Sequence, residues 1–354
     1  MELTDLSRYI PVKQPKSIQF SDIRKKQPVL FNQNLELINT NDNIAYANKL
    51  AQQGFEVIPI KRITEETKYL HRTSFPRRIL FEMTSNCNYL CRMCPQQNLL
   101  RPKMDMSKEL YTKILDEIDS HGIEGLWLYH LGESLLHPDF EEILQHLAHK
   151  KNLGSIWMST NGELFTEDKI KAVLNSNIDF INFSAHATTA KTYKTVTHKS
   201  FKKVSDNLNS FYRLKGCKDL PKKPFLHCQM IEQETTKHEV NDFISLHYKR
   251  ADIVSINMLE YVNLPNNEYG REQRIREPLS TCLRVSRNDC FICSNGAVTL
   301  CDAAYNGEIN LGNVNETSLS EIWDGQQRAN VLQLNQAGQM SKMKFCQTCT
   351  DYDI

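Results

Sequence analysis

The chain has almost no net charge. It carries 43 Lys and Arg against 42 Asp and Glu, a formal charge of +1. That leaves no general electrostatic grip on nucleic acid or on an anionic membrane, so neither is expected as a partner. No run approaches the 18 or so apolar residues of a bilayer-crossing helix. The segment Met1 to Ile10 lacks the basic stretch followed by an apolar one that marks a secretory signal. There is no solenoid repeat and no low-complexity segment. With 40% hydrophobic and 24% charged residues, the composition is that of a globular protein. A cytoplasmic protein is expected, long enough at 354 residues for one large domain and a smaller one.

Cysteine is what the chain has: eleven residues, which in a cytoplasmic setting point to metal ligation rather than disulfides. Cys87, Cys91 and Cys94 follow an apolar run, with no fourth cysteine nearby. A closed zinc site wants four ligands, and so does a fully ligated iron–sulfur cube. Three thiolates can hold three irons of a cube and leave the fourth open to a reacting ligand. The competing reading is a zinc site completed by a distant residue.

Residues 1–76 are polar, with a short strand expected at 29–31, a helix at 42–52 and a strand at 55–60. They read as a small α/β appendage without a chemical motif. A regular alternation follows, with strands expected at 78–83, 125–131, 155–159, 179–184, 225–231 and 252–257. Helical patterns lie between them at 107–120, 138–150, 166–176, 201–214 and 236–249. Ser107 and Thr166 stand as helix N-caps. Six strands with five intervening helices specify a parallel sheet, and right-handed connections curl it into a partial (β/α)6 TIM-like barrel over 77–265. Chemistry then belongs at the C-terminal ends of the strands. A charged, turn-rich linker spans 259–281. Residues 266–354 form a small cysteine-rich C-terminal domain with a helix expected at 319–332.

The spacing C-x3-C-x2-C resembles the signature of the radical S-adenosylmethionine (radical SAM) superfamily. His130-Leu-Gly-Glu-Ser134 resembles the family's Gly-Gly-Glu segment, with Leu131 in place of the first glycine. The resemblance implies that Gly132 and Glu133 hold the amino group of SAM. Ser159 and Asn161, in Ser159-Thr-Asn-Gly162, resemble the ribose- and carboxylate-binding strand end, and Ser184 resembles a further ribose or carboxylate contact. His186 stands where many relatives carry Asp or an apolar residue; it either faces substrate or supports a residue that does. Met93 can fill the space beside adenine. The implied chemistry is a [4Fe–4S] cluster on Cys87, Cys91 and Cys94 whose open iron chelates SAM. One electron, from a donor such as flavodoxin or ferredoxin, then yields a 5′-deoxyadenosyl radical that takes a hydrogen atom from substrate.

The C-terminal region resembles the SPASM or shorter twitch extension of this superfamily. Cys282, Gly296 and Cys301 match its C-x(9–15)-G-x4-C element, and Leu311-Gly-Asn, Ile322-Trp and Cys346-Gln-Thr-Cys349 follow. The implied ligands of a second, auxiliary [4Fe–4S] cluster are Cys282, Cys301, Cys346 and Cys349; a full SPASM extension would supply further cysteines after Cys349. The rival is a zinc ribbon of Cys290 and Cys293 with Cys346 and Cys349. Residues three apart in a strand face opposite ways, which disfavours joint chelation by Cys290 and Cys293 unless a turn intervenes. Cys217 and Cys228 read as free thiols.

A fully ligated auxiliary cluster suits one-electron transfer. Hydrogen abstraction, proton loss and electron loss together make a two-electron oxidation. That favours dehydrogenation of a carbohydrate-like small molecule, with His130, His137, His186 and Glu260 as candidate bases. Two alternatives stand beside it. One is a maturase modifying a peptide or protein, although 1–75 shows no leader-binding winged helix. The other is a non-catalytic iron–sulfur or zinc protein.

Overall fold

The computed structural model describes residues 19–22, 27–31, 37–38, 73–216, 224–247, 250–251, 253–258 and 281–349. The expected elements at 42–52 and 55–60, most of the linker, Glu260 and Cys217 lie outside them.

One continuous sheet organises the molecule. Six parallel strands form its centre: β4 (Arg78–Phe81), β5 (Gly125–Trp127), β6 (Ser155–Thr160), β7 (Phe180–Ser184), β8 (Phe225–Glu232) and β9 (Ile253–Met258). They pair in chain order, as a βα-barrel requires. Both edges are extended. On one side β1 (Gln19–Asp22) pairs parallel with β9 and continues through β2 (Gln27–Phe31) to β3 (Leu37–Ile38). On the other, β10 (Asp289–Ile292) lies parallel to β4, followed by β11 (Ala297–Thr299) and β12 (Gly312–Asn313). The C-terminal region is thus grafted onto the barrel's first strand.

The helices of the barrel are α1 (Lys108–His121), α2 (Phe140–Ala148), α3 (Glu167–Leu174), α4 (Ala190–Thr197), α5 (Phe201–Lys215) and α6 (Val240–His247). Ser107 caps α1, accepting from Leu110 N at 3.3 Å. Thr166 stands at the N-cap of α3 but makes no side-chain cap bond. The sequence pattern misses α4, whose run Ala-Lys-Thr-Tyr-Lys-Thr-Val-Thr is polar and rich in β-branched residues. Its start is fixed instead by Glu239, which accepts from the main chain and hydroxyls of Thr188 and Thr189. After α7 (Leu283–Ser286), the expected helix at 319–332 is two: α8 (Leu319–Asp324), with a Ser318–Glu321 capping box, and α9 (Gln326–Gln336), divided at Gly325.

Alternation along the strands sorts side chains onto two faces. Ile79, Phe81, Leu126, Ile156, Met158, Ile181, Phe183, Leu226, Cys228 and Val254 belong to the main core. The opposite face lines the barrel interior in layers. Trp127, Trp157, Phe180 and Phe225 share one register row; Trp157 stacks on Phe180 at 3.8 Å between centroids, and Phe225 lies 5.4 Å from Phe180. This aromatic floor, with Ile253, closes the lower end. Above it come Ser159, Asn182 and His227, and then Ser184, Gln229 and Ser255. The apolar floor gives way to a polar upper wall, at the strand ends where a ligand would sit.

Candidate functional site

The strands end sooner than their apolar runs suggest. β4 ends at Phe81 and β5 at Trp127, each followed by one residue that still bonds a neighbouring strand: Glu82 N donates to Ile292 O at 2.9 Å and Leu128 N to Trp157 O at 2.7 Å. The long loop after β4 is closed at its base: Ser85 N donates to Met104 O at 3.0 Å, Met106 N to Met83 O at 2.8 Å, and Thr84 Oγ1 to Asp105 Oδ1 at 2.5 Å. Gln96 Nε2 braces it from within, donating to Ser85 O at 3.0 Å. Within this frame Cys94 N donates to Cys91 O at 3.0 Å. Burial pushes the Cys87 thiol up to about 12, with Glu133 and Cys94 adding to the rise. Burial also raises Cys91, reinforced by Cys94 and Cys87, and it raises Cys94. Three half-buried thiols gathered in this way become thiolates when a cation joins them.

The C-terminal cysteines also converge. Burial raises Cys301, with Asp302 and Cys282 contributing, and burial raises Cys346 to about 12, with Cys282 and Cys349 contributing. Asn335 on α9 holds the main chain of Cys282 from both sides, accepting from its N at 2.5 Å and donating to its O at 3.1 Å. None of the described cysteines is in a disulfide. Among the described residues, neither cysteine group brings three ligand atoms within 4.8 Å of one another. A single tetrahedral zinc would hold its sulfurs about 3.8 Å apart, so the wider spacing and all-sulfur donor set fit the larger iron–sulfur cube. Cys290 points into the core from β10, while Cys293 begins the turn to β11. The electrostatic neighbours of Cys346 are Cys282 and Cys349, whereas Cys290 feels Cys293.

The other expected residues divide into two groups. Ser159 and Ser184 are half-buried on the barrel wall, and no described group bonds their hydroxyls. Glu133 and Asn161 are more tightly held. Glu133 accepts from Asn161 N at 2.7 Å, Thr160 Oγ1 at 2.8 Å and Leu135 N at 3.2 Å. Burial pushes its carboxyl up to about 7 despite those bonds. Asn161 Nδ2 donates to Asn88 Oδ1 at 2.9 Å, tying the end of β6 to the three-cysteine loop. Gly132 is required by packing: a Cβ there would lie 1.9 Å from Thr84 O.

Of the candidate bases, His137 has both ring nitrogens engaged, by Met106 O at 2.9 Å and Asp139 N at 3.1 Å. His130 bonds Asp302 O at 3.0 Å. His186 takes a left-handed φ of 56° at the end of β7, and its Nδ1 accepts from Ile231 N at 3.4 Å. Sequence reasoning missed Asn88, Asn335 and the wall residues Asn182, His227 and Gln229. Strand alternation through Ser159 and Ser184 carries the signal for the last three.

Residues 81–220 match the family model of the Radical SAM superfamily. A radical SAM domain therefore occupies residues 81–220. Residues 282–350 match the SPASM iron–sulfur cluster-binding domain. Radical SAM and SPASM domains together imply a [4Fe–4S] cluster, SAM and auxiliary cluster binding. A tungsten-containing aldehyde ferredoxin oxidoreductase cofactor-modifying protein of Pyrococcus furiosus is 30% identical over 122 residues, 34% of each chain. A GTP 3′,8-cyclase of Aquifex aeolicus is 28% identical over 142 residues, 37% of this chain and 42% of its own. The chain thus spans well under half the length of these curated relatives. Among solved structures, Streptococcus suis SuiB superposes with TM-score 0.59 at 13% identity, covering 93% of each chain. BtrN in complex with AdoMet and 2-DOIA gives TM-score 0.53 at 17% identity, covering 78% of this chain and 94% of that one. At these identities the likeness is one of fold. No described helix is long and apolar enough to cross a membrane.

Proposed function

We propose that this radical SAM protein is an oxidoreductase that dehydrogenates a carbohydrate-like small molecule. The observation that carries this reading is the barrel wall. Asn182, His227, Gln229 and Ser255 line the upper interior above the aromatic floor, beside Ser159 and Ser184, offering amide, imidazole and hydroxyl groups suited to a polyhydroxylated ligand. Asn182 Nδ2 donates to Gln229 Oε1 at 2.6 Å, and His227 Nε2 meets Ser255 Oγ at 2.6 Å, so the wall is ordered before a ligand arrives.

The residues assigned to hold the first cluster are Cys87, Cys91 and Cys94, with Gly132, Glu133, Ser159, Asn161 and Ser184 around SAM. The four assigned to the second are Cys282, Cys301, Cys346 and Cys349. When bound, these groups supply a 5′-deoxyadenosyl radical to take one hydrogen atom and an acceptor for one electron, which with loss of one proton completes a two-electron oxidation. The chain orients the substrate on the polar wall, and the floor of Trp157 and Phe180 closes the lower end of the barrel. The complex of BtrN with AdoMet and 2-DOIA is in keeping with a small-molecule ligand in this fold, whereas SuiB has been seen with precursor peptide SuiA.

The test is substrate-dependent release of 5′-deoxyadenosine by the reduced, anaerobically reconstituted protein. Nucleotide sugars and aminocyclitols are screened against peptides. A small polyol should stimulate release and be recovered two hydrogens lighter, and Cys91→Ala should abolish release while remaining folded. Stimulation by peptides alone would overturn the small-molecule reading.

A further inference from the structure

Three strand ends meet in a buried cluster outside the residues assigned above. Glu82 follows β4, His130 comes from the loop after β5, and Cys293 follows β10; their donor atoms all lie within 4.8 Å of one another. Glu82 and Cys293 are almost fully buried. The cluster sits at the seam between the barrel and the C-terminal region.

The hydrogen bonds decide what lies at its centre. His130 Nε2 is 3.0 Å from Asp302 O. A carbonyl only accepts, so Nε2 carries a proton. Nδ1 faces the Glu82 carboxylate at 3.5 Å, and a bare lone pair there would oppose a negative charge in a buried site. Nδ1 therefore carries a proton, accepts one from the Cys293 thiol beside the ring, or meets a metal ion. Glu82 has little capacity left for a metal: its carboxylate accepts from Arg101 Nη2 at 2.7 Å, Ser294 N at 2.8 Å and Leu131 N at 3.4 Å. Of the two protonation patterns left, the buried Glu82 carboxylate facing Nδ1 favours the doubly protonated ring. Burial works against its charge, but Cys293 and Glu82 overcome that effect and push His130 up to about 10. Glu82 is lowered to about 2, because His130 and Arg101 outweigh its burial.

The charge lies close to the second cysteine site. Asp302 directly follows Cys301, whose Sγ is 3.9 Å from Asp302 Oδ1. The Asp302 carboxylate is itself paired with Arg284 Nη1 at 2.8 Å. Thus Arg101 offsets Glu82, Arg284 offsets Asp302, and His130 donates to the carbonyl of Asp302, the residue after Cys301. A nearby cation stabilises the reduced, more negative state of a cluster and raises its potential.

We propose that His130 is a buried imidazolium that sets the potential of the cluster held by Cys282, Cys301, Cys346 and Cys349, making it a better electron acceptor. His130 acts through Asp302 as a positioning residue and does not touch substrate. The proposal rests on the four-thiolate reading given above.

The test is a redox titration of the reconstituted full chain, following each cluster by electron paramagnetic resonance. The second cluster is identified by loss of its signal in Cys346→Ala. His130→Gln keeps an amide to donate to Asp302 but removes the charge; it should retain the iron of wild type and lower the potential of the second cluster alone. In wild type that potential should stay constant from about pH 6 to about pH 8, where an ordinary histidine loses its proton. Glu82→Gln, lacking the carboxylate at Nδ1, should make it fall across the same range. An unchanged potential in His130→Gln with full iron overturns the proposal, as does stoichiometric zinc lost on Cys293→Ser. A wild-type protein with about four irons and no second signal overturns the four-thiolate reading, and the proposal with it.

Discussion

Glu133 shows how one side chain joins structure to ligand chemistry. Its carboxylate ties the end of β6 to the loop after β5, yet burial pushes it up to about 7. The folded protein therefore keeps a proton that the unfolded chain releases above its ordinary carboxyl value. Glu133 takes stability away as pH rises from about 4.5 to about 7. Its assignment to the SAM ammonium works in the opposite direction, because an ammonium binds the ionised form. SAM affinity should strengthen as pH rises from about 6 to about 8. Glu133→Gln should bind SAM about tenfold more weakly and lose that slope, since a charge-assisted hydrogen bond is replaced by a neutral one. Calorimetry on the reconstituted protein checks this. A mutant with wild-type affinity and an unchanged pH profile would remove Glu133 from the ammonium site.

At the scale of elements, the parallel strands were legible because runs rich in apolar residues, such as Phe180–Ser184 and Phe225–Glu232, are regularly spaced by helices. The pairing of β10 with β4 was not legible, because it joins Asp289 to Arg78 across most of the chain and leaves no local pattern. Nor was α4, whose start depends on the distant Glu239. The cysteine sites were readable from spacing, but their supports were not: Asn88 and Gln96 at the three-cysteine loop and Asn335 at Cys282 are common polar residues whose partners only the fold supplies. Gly132 was readable from its motif; the structure adds that its close neighbour is the Thr84 backbone. Gly132→Ala should therefore cost about 2 kcal/mol or more by overpacking. It should lower the thermal midpoint of the protein without bound SAM as well as with it. A destabilisation seen only in the SAM complex would instead place the ligand against this glycine.

At the scale of the molecule, one sheet carries both cysteine sites. Arg101, which follows the first cysteine loop, donates through Nε to Tyr305 O at 2.8 Å, just beyond Cys301. Leu100 N donates to Asn306 Oδ1 at 2.8 Å. The two loops are joined by these hydrogen bonds, so the residues assigned to SAM and those assigned to a second cluster lie on one sheet with shared loop contacts. The central claim is that three thiolates and four thiolates hold two four-iron clusters in this assembly. Iron and sulfide analysis of the anaerobically reconstituted chain tests it most directly, beside Cys301→Ala and Cys91→Ala. The account predicts about eight irons in the wild type and about four in each variant. About four irons in the wild type, or zinc in place of iron at the C-terminal cysteines, would contradict it.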